Sequence, residues 1–472
     1  MANSADVVII GAGPAGCATA LAFQHRGAKT LVLESSVRSA RRLAGEWIHP
    51  RGVRILQQLG VDLSSVEHAA GKGFAVFPED GSEPIKLPYE NGCFAVSCHH
   101  QKLVDGLRGA MLDRSGITFT SESRVTGVEG CRVTYIDGTS GLPRSVLAGR
   151  IIGADGRSSL VRESLGLSTA KTKLSHTAGV LLENAELPFD GYGHVLLGAP
   201  GPILIYRMGP YALRACIDVP LHSNTRANSV AYLWQTYGPY FPAPLRPAFH
   251  AALQQRRIMW AANQFCQRTT YGDDHLALVG DAVGHVHPLT ATGLTLAMMD
   301  GECLARSPGI AAYSRERATE TQVAEVLATA LYRAFTTHDP ATVALRGAIY
   351  EMWRRRPTER YRTMRLLAME ETRLNEFISI FLRTFSLAAQ NGIARPLANG
   401  QLRGSARTFR GFRDWLVWLS PIVWTILCRS TDRRQDRYKP AVGSREPESN
   451  PMRHQFPDET AVSPLRRDKL YG

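Results

Sequence analysis

The chain has 472 residues, of which 44% are hydrophobic and 21% charged, a balance that fits a globular protein with two or three domains and excludes a disordered polymer. No stretch of about 18 uninterrupted apolar residues occurs, so a simple membrane-spanning helix is not expected. The formal net charge of +13 suits an anionic partner such as a membrane surface, nucleic acid or a phosphorylated cofactor, without choosing among them.

The start of the chain and its cysteines bear on location. The sequence begins MANSADVVIIGAGPAG, without the cationic region and cleavage pattern of a signal peptide. The eight cysteines form no CxxC pair and no zinc-type spacing. We therefore expect reduced thiols in a protein of the cytoplasm, or of the cytosolic side of a membrane as a peripheral protein, and no secretion.

The first predicted elements form a dinucleotide-binding unit. Residues 7–10 predict a buried parallel strand, an Ala-rich helix follows and ends at Gly27, and residues 30–34 predict a second strand that ends at Glu34. The glycines of a GxGxxG turn let the backbone approach a pyrophosphate, the helix N-terminus supplies amide donors, and the acid can bind a ribose hydroxyl. The turn consists here of Gly11, Gly13 and Gly16, with Ala15 inside it.

Two later segments end a predicted strand on a carboxylate. The strand within 148–166 ends at Asp155, and the strand within 275–301 ends at Asp281, before a loop with Pro288 and a helix from about Gly293. Such a carboxylate can hold a ribityl hydroxyl, and the helix dipole can stabilise negative charge on a reduced flavin. Each aspartate taken alone could instead cap a tight turn, but the order of the three segments favours a flavin site.

The remaining chain predicts a sheet region, a helical region and a tail. Between 166 and 274, alternating runs punctuated by Gly and Pro predict an antiparallel sheet with one wet or ligand-facing side. From about 308 the pattern becomes helical, as in ATETQVAEVLATALYRAF. The segment MWRRRPTERYRTMR predicts a solvated helix face or contact with an anionic membrane, and residues 429–472 predict a disordered tail.

The apolar segment 415–428, WLVWLSPIVWTILC, has about two-thirds of the ~20 residues that a membrane span needs. Its tryptophans lie near arginines, which predicts either an interfacial membrane helix or a helix packed on the helical region. Residues 409–428 are therefore the candidate for peripheral membrane contact, and no nucleic-acid partner is expected.

The order GxGxxG, DG, then GD with a proline and a following helix resembles the single-component FAD monooxygenases, which have the para-hydroxybenzoate hydroxylase-like fold. Within that group, ESSVRSARRLAGEWIHP, CHHQKLVDGLR, VGDAVGHVHPLTATGLT and LATALYRAFTTHDPATVALRGAIY are similar to segments of the squalene epoxidases. The similarity runs from residue 6 to about residue 355. It implies FAD as cofactor, with NAD(P)H as electron donor, directly or through a reductase. The FAD contacts that it implies, beyond the glycine turn, Asp155, Pro288 and Gly293, are Glu34, Arg42, Gly45, Arg108, Asp281, Leu294 and the backbone of Val125.

Together, the patterns and the resemblance predict an α/β and α+β protein with a Rossmann-like FAD-binding domain. That domain is expected to be discontinuous, formed by residues 1–75, 96–165 and 275–320. An antiparallel substrate-binding sheet domain is expected from residues 76–95 and 166–274. A C-terminal helical region, with a candidate membrane-associated part, is expected at 321–428.

The chain departs from the squalene epoxidase pattern in three places near the expected flavin. The pattern GELLQP is GEWIHP here, so its glutamine is His49, and GYM is Gly73-Phe74-Ala75, which lacks a phenol hydroxyl. A glycine triplet is Ala291-Thr292-Gly293, so the loop under the flavin has less freedom. The cofactor prediction survives these changes, whereas squalene itself as substrate does not follow.

Four residues are candidates for the substrate or flavin side: Glu46, Trp47, His49 and Phe74. Glu46 either forms a structural ion pair with Arg42 or Arg51 or faces the cofactor or substrate. Trp47 either packs in the core or contacts substrate, and His49 is either a satisfied polar group or an acid–base catalyst. No metal site is predicted, since the i, i+2 pair of histidines at 285 and 287 lies on a predicted loop.

The leading functional hypothesis is an FAD monooxygenase that transfers one oxygen atom from O2, through a flavin C4a-hydroperoxide, to an alkene of a hydrophobic isoprenoid. Its partners would be that small-molecule substrate, O2 and, where NAD(P)H does not act directly, a flavin-reducing protein. The alternatives are an aromatic-ring hydroxylase, an FAD-dependent alkene reductase and a non-catalytic membrane-anchored flavoprotein.

Overall fold

The structure is a computed structural model that describes residues 4–39, 42–90, 92–167, 171–221, 229–394, 407–421 and 424. The tail at 429–472 and residues 422, 423 and 425–428 of the apolar segment lie outside these described residues. Up to residue 421, the described residues belong to one compact unit.

The strands of the described chain form three sheets. In chain order the strands are β1 (Ser4–Ile10), β2 (Thr30–Leu33), β3 (Trp47–Ile48), β4 (Ala69–Gly71), β5 (Gly73–Phe77), β6 (Ile85–Pro88), β7 (Ala95–Ser97), β8 (Ile117–Thr120), β9 (Ser123–Glu129), β10 (Arg132–Asp137), β11 (Pro143–Gly153), β12 (Thr172–Glu183), β13 (Tyr192–Leu196), β14 (Ile203–Arg207), β15 (Ala212–Pro220), β16 (Ile258–Phe265) and β17 (Leu276–Leu278).

Helices cover the sheets and form most of the chain after residue 293. In chain order they are α1 (Pro14–Gln24), α2 (Pro50–Gln58), α3 (His100–Leu112), α4 (Leu160–Ser164), α5 (Ser229–Tyr237), α6 (Arg246–Gln254), α7 (Gly293–Arg306), α8 (Ile310–Glu320), α9 (Gln322–Thr336), α10 (Pro340–Arg355), α11 (Pro357–Leu367), α12 (Leu374–Ala389) and α13 (407–421).

The first sheet carries the predicted dinucleotide-binding unit. Its strand order is β8-β2-β1-β11-β10-β9, and β17 also pairs with β11. Strands β8, β2, β1, β11 and β17 are parallel, so their carboxyl ends lie at one edge of the sheet. The glycine turn after β1, Glu34 after β2, Asp155 after β11 and Asp281 after β17 therefore meet at that edge, where ligands bind in open α/β sheets.

The second sheet has the order β16-β12-β15-β14-β13-β5-β6. It is antiparallel apart from the parallel pair β13–β5. One face packs on α5 and α6, and side chains of the other join a core shared with α9 to α13. A third, small sheet pairs β3, β7 and β4. The predicted α/β and α+β class is confirmed.

Two features of the fold differ from the expected segments. The expected domain boundary at residue 75 falls inside β5, so the second sheet already begins at Gly73. The helical run ATETQVAEVLATALYRAF is divided at Thr321 between α8 and α9. The Thr321 hydroxyl donates to the Arg317 carbonyl oxygen (2.9 Å) and lies 2.6 Å from the Tyr271 hydroxyl, which ties the break to the core of the first sheet.

Helix α13 packs by one face against the helical region. Phe412, Trp415 and Leu419 on this face are buried. The Trp415 indole donates to the Thr342 hydroxyl (3.0 Å), and the Arg333 guanidinium lies 4.3 Å from its ring centroid. Trp415 is therefore a packing residue, as one of the two alternatives for this segment predicted.

The opposite face of α13 exposes apolar side chains. Phe409, Leu416 and Val417 are 63%, 45% and 63% exposed, and Arg410 and Arg413 are exposed beside them. Within the described ranges, every helix is too short or too polar to cross a membrane.

Candidate functional site

The glycine turn after β1 separates packing from ligand approach. Gly11 has a φ of +100°, and a Cβ there would lie 2.7 Å from the Ala154 carbonyl oxygen. A Cβ on Gly16 would lie 1.9 Å from the Gly11 carbonyl oxygen. Gly13 precedes the first turn of α1, and a Cβ there would meet no described atom within 4 Å. Packing thus requires Gly11 and Gly16, while Gly13 leaves open space where a pyrophosphate could approach the helix N-terminus.

Glu34 and Arg108 both bond to the backbone of this turn at Ala12. A Glu34 carboxylate oxygen accepts from the Ala12 amide (2.7 Å) and lies 3.2 Å from an Arg108 guanidinium nitrogen. Arg108 also donates to the Ala12 carbonyl oxygen (3.1 Å). The structure thus brings together two residues that the sequence separates by 74 positions, as a cofactor site at the end of β2 would need.

Asp155 keeps one unused acceptor. Its Oδ2 accepts from the amides of Leu160 (2.8 Å) and Val161, whereas its buried Oδ1 has no partner among the described residues. Burial raises the pKa of this carboxyl above its ordinary value. Asp155 therefore caps the first turn of α4, as one of its two alternatives predicted, and its second oxygen has no partner among the described residues.

The segments around Asp155 and Asp281 are tied together by arginines. Arg157 lies 3.3 Å from the Asp281 carboxylate, and Arg162 donates to the Asp281 carbonyl oxygen (3.4 Å). Ala15 of the glycine turn also reaches this place, because a Cβ on Gly280 would lie 2.7 Å from the Ala15 methyl carbon.

Gly45 and Leu294 lie against each other. A Cβ on Gly45 would lie 2.8 Å from Leu294 Cγ, and His100 Nδ1 lies 2.9 Å from the Gly45 carbonyl oxygen. Gly293 at the start of α7 would have open space around a Cβ within the described structure. Arg42, on the same loop as Gly45, is exposed.

Val125 lies in β9, opposite Tyr135. It is half-buried against the core of the first sheet. Two residues earlier, the Ser123 amide donates to the Glu34 carbonyl oxygen (2.7 Å). The backbone of Val125 thus lies two residues along β9 from a contact with the residue that follows β2.

The four substrate-side candidates lie in or beside one buried aromatic cluster. Trp47 packs on Phe74 with ring centroids 5.1 Å apart and meets Tyr206 edge-on at 5.8 Å. His49 lies 6.1 Å from Phe74 and 6.0 Å from Tyr89. Trp47, Phe74 and Tyr206 lie in β3, β5 and β14, and His49 and Tyr89 follow directly after β3 and β6. We call these five rings the aromatic box.

A directed chain of hydrogen bonds crosses the box. The Trp47 indole donates to the Tyr89 hydroxyl oxygen (3.1 Å), and His49 Nδ1 lies 2.8 Å from that oxygen. His49 Nε2 lies 2.9 Å from the Thr290 carbonyl oxygen, which can only accept. Nε2 therefore carries the proton, and Tyr89 donates to Nδ1. Burial lowers the pKa of His49 to about 4, so the ring is neutral near pH 7.

Glu46 forms its ion pair with a residue that the sequence did not indicate. Arg214 of β15 donates to both Glu46 carboxylate oxygens, at 2.9 and 3.0 Å, and Tyr206 donates to one of them. The partners Arg42 and Arg51, which one alternative predicted, were wrong: Arg51 donates instead to the Met369 carbonyl oxygen and pairs with Glu320, and Arg42 is exposed. The sequence thus indicated an ion pair for Glu46 as one alternative, but the observed partner, Arg214, lies far from it in the chain.

The turn before α7 closes the box. Pro288 begins a short 3-10 turn that ends at Ala291, which has a left-handed φ of +53°. Leu289 and Ala291 pack against the core that contains Trp47 and Phe74. The turn that begins at Pro288 thus lies beside the aromatic box, where His49 Nε2 reaches the Thr290 carbonyl oxygen, and Gly293 and Leu294 begin the helix that follows it.

Sequence reasoning missed Tyr89, Tyr206 and Arg214. Each lies in an ordinary alternating strand or at its end, and no motif singles it out. The histidines at 285 and 287 do not converge on a common third ligand: His287 Nε2 lies 3.2 Å from the Asp218 carboxylate, and no metal-ligating group of three was found in the part of the chain that the structure describes.

Comparisons with known proteins identify related sequences and structures. Residues 4–326 match the FAD binding domain family. The chain is 30% identical over 386 residues to squalene epoxidase erg1 of Aspergillus fumigatus, covering 74% of this chain and 79% of that protein. It is 27% identical over 382 residues to squalene monooxygenase of Mus musculus, covering 73% of this chain and 64% of that protein.

Two solved structures share the fold. PqsL, a probable FAD-dependent monooxygenase from Pseudomonas aeruginosa, has a TM-score of 0.60 at 20% identity over 71% of this chain and 97% of its own. The flavin-dependent brominase Bmp2 has a TM-score of 0.65 at 16% identity over 82% of this chain and 99% of its own.

Proposed function

The chain belongs to the FAD binding domain family and to its squalene epoxidase-like, FAD-dependent monooxygenases, and we propose that it epoxidises an alkene of a hydrophobic isoprenoid substrate. FAD is the cofactor, and when bound and reduced it activates O2 for transfer of one oxygen atom. NAD(P)H, which such monooxygenases typically use, is the proposed source of electrons, directly or through a reductase.

In this proposal the edge of the first sheet holds the cofactor. Gly13 and the α1 amides face its pyrophosphate, Glu34 and Arg108 its ribose end, and the free oxygen of Asp155 a hydroxyl group. The open space at Gly13 and the unpartnered Asp155 Oδ1 support this assignment. We assign Arg42, Gly45, Val125, Asp281, Pro288, Gly293 and Leu294 to the same site.

The aromatic box carries the substrate proposal. The polar atoms of Trp47, Tyr89, His49 and Glu46 are bonded to other protein atoms. The five rings are at most 5% exposed, so a molecule that enters the box would meet aromatic faces with no unpaired polar group, which suits a hydrocarbon better than a phenol that needs a hydrogen-bonding partner. His49 acts here as a positioning group, since its ring is neutral and both nitrogens are engaged.

The test is product analysis under labelled O2. The purified holoenzyme would be given NADPH or NADH, with and without a flavin reductase, and a panel of acyclic isoprenoids and substituted phenols. One labelled oxygen atom in an epoxide supports the proposal. A labelled phenol would instead show that the enzyme hydroxylates aromatic rings. A saturated product without oxygen uptake would exclude oxygen transfer.

We also propose peripheral membrane contact through the outer face of α13. Its exposed Phe409, Leu416 and Val417 lie beside arginines, a combination that favours binding at an anionic membrane surface. An apolar substrate could be taken from the same lipid phase.

A further inference from the structure

The turn at residues 287–292 is held by two histidines, one from the segment before α2 and one that caps the turn itself. His49 donates from Nε2 to the Thr290 carbonyl oxygen (2.9 Å). His287 Nδ1 accepts from the Leu289 amide (3.2 Å). The peptide groups 288–289 and 290–291 of one turn are thus fixed by two imidazole rings.

Each ring is anchored at its far side. His49 Nδ1 accepts a hydrogen bond from the Tyr89 hydroxyl. The backbone amide of His49 donates to the Thr295 hydroxyl at the start of α7 (3.0 Å).

His287 is anchored to the second sheet and to α9. Because its Nδ1 accepts from a backbone amide, its ring proton is on Nε2, which lies 3.2 Å from both Asp218 Oδ1 and Ser175 Oγ. The ring stacks on Tyr332 with centroids 4.0 Å apart. Asn263 also donates to Asp218 Oδ1 (3.0 Å), so the carboxylate is held in place.

The gripped turn contains a strained residue. Ala291 has φ +53° and ψ +23°, a left-handed conformation that an alanine adopts at a cost and that glycine adopts freely. Such strain persists only where the surroundings over-determine the backbone. The two histidines supply that determination, since each bonds to a peptide group within two residues of Ala291.

We infer that His49 and His287 are positioning residues that together clamp the 288–291 turn, with Ala291 left-handed, as one rigid wall between the flavin and the aromatic box. This inference rests on the proposed function for the identity of what the wall faces. The clamp itself is a property of the chain and can be tested without the cofactor.

The first experiment measures amide hydrogen exchange in the full chain without added FAD. We expect H49L to raise exchange at the Leu289 and Ala291 amides by about tenfold or more, because the Thr290 carbonyl loses its buried partner. H49Q, whose amide can donate to the same oxygen, should stay close to the unsubstituted chain. H68L is the matched control, because His68 also bonds a backbone carbonyl oxygen, that of Val66, outside the site. Unchanged exchange at 289–291 in H49L would overturn the clamp.

If H49L raises exchange throughout the chain, H287L, which leaves the Leu289 amide without a side-chain acceptor, carries the same test from the other side. A rise confined to residues 287–292 supports the clamp, and no local rise refutes it.

The second experiment is a double-mutant cycle on FAD affinity, read from flavin fluorescence. H49L should weaken FAD binding by about tenfold. In the A291G background the same substitution should cost less, because glycine needs no clamp to remain left-handed. Additive losses would show that the histidine and the strained residue are independent and would overturn the inference. Failure of the unsubstituted chain to bind FAD would count against the proposed function alone, since exchange is measured without it.

Discussion

Glu46 and Arg214 form a bidentate ion pair with both side chains at most 3% exposed. Glu46 immediately precedes β3 of the small sheet, and Arg214 lies in β15 of the second sheet. The pair therefore fixes the start of the small sheet onto the second sheet. Tyr206 satisfies one of the carboxylate oxygens further, so neither charge is left without a partner.

Removing one member of this pair should destabilise the protein strongly. R214M leaves the Glu46 carboxylate buried and uncompensated, and we expect the free energy of unfolding to fall by about 3–5 kcal/mol. The double variant E46L/R214M removes both charges and should recover most of that loss. Guanidinium denaturation followed by circular dichroism measures both.

The control for this prediction is an exposed ion pair. Lys102 and Glu67 also form an ion pair, but both side chains are 48% exposed. K102M should change the free energy of unfolding by at most about 1 kcal/mol. Equal losses in R214M and K102M would contradict a special role for burial.

The glycine turn separates folding from cofactor binding. G11A combines a left-handed φ with a clash against the Ala154 carbonyl oxygen and should impair folding. G13A meets open space at a φ of −78°, so the free energy of unfolding without FAD should stay within about 0.5 kcal/mol. Its methyl group should still weaken FAD binding by about tenfold, or about 1.4 kcal/mol, measured by fluorescence titration. Normal FAD affinity in G13A would contradict the proposed approach of the pyrophosphate.

The parts of the fold that repeat a local pattern could be predicted from the sequence. The glycine turn, Glu34, Asp155 and Asp281 each follow a short buried strand, and parallel pairing alone brings them to one edge. The aromatic box could not be assembled in this way. Tyr89, Tyr206 and Arg214 reach Trp47, His49 and Glu46 only because β5 and β6 join a sheet whose other strands lie a hundred residues later. Long-range pairing of that kind leaves no periodic signal in the chain.

His49 gives the protein a pH-dependent stability of predictable sign. Its pKa is about 4 in the folded protein, against 6.5 for an ordinary histidine. Between these pH values His49 is protonated in the unfolded chain and neutral in the folded protein. The contribution of His49 to the free energy of unfolding is therefore complete above pH 6.5 and is lost as the pH falls toward 4. H49Q should flatten the decline by at most about 1.4 kcal/mol per pH unit in that window. Denaturation at pH 7, 6 and 5 measures the slopes, and parallel curves for the two proteins would contradict the assignment.

The outer face of α13 should determine membrane binding. The triple variant F409S/L416S/V417S removes three exposed apolar side chains without touching the buried Trp415. Each such side chain contributes about 1.5–3 kcal/mol when it leaves water, so binding to anionic lipid vesicles should fall by at least about tenfold while the thermal midpoint is unchanged. L142S/L147S, which alters two exposed leucines in and beside β11, is the matched control and should sediment with vesicles as the unsubstituted chain does. If the triple variant binds vesicles as tightly as this control, the membrane surface does not lie on α13.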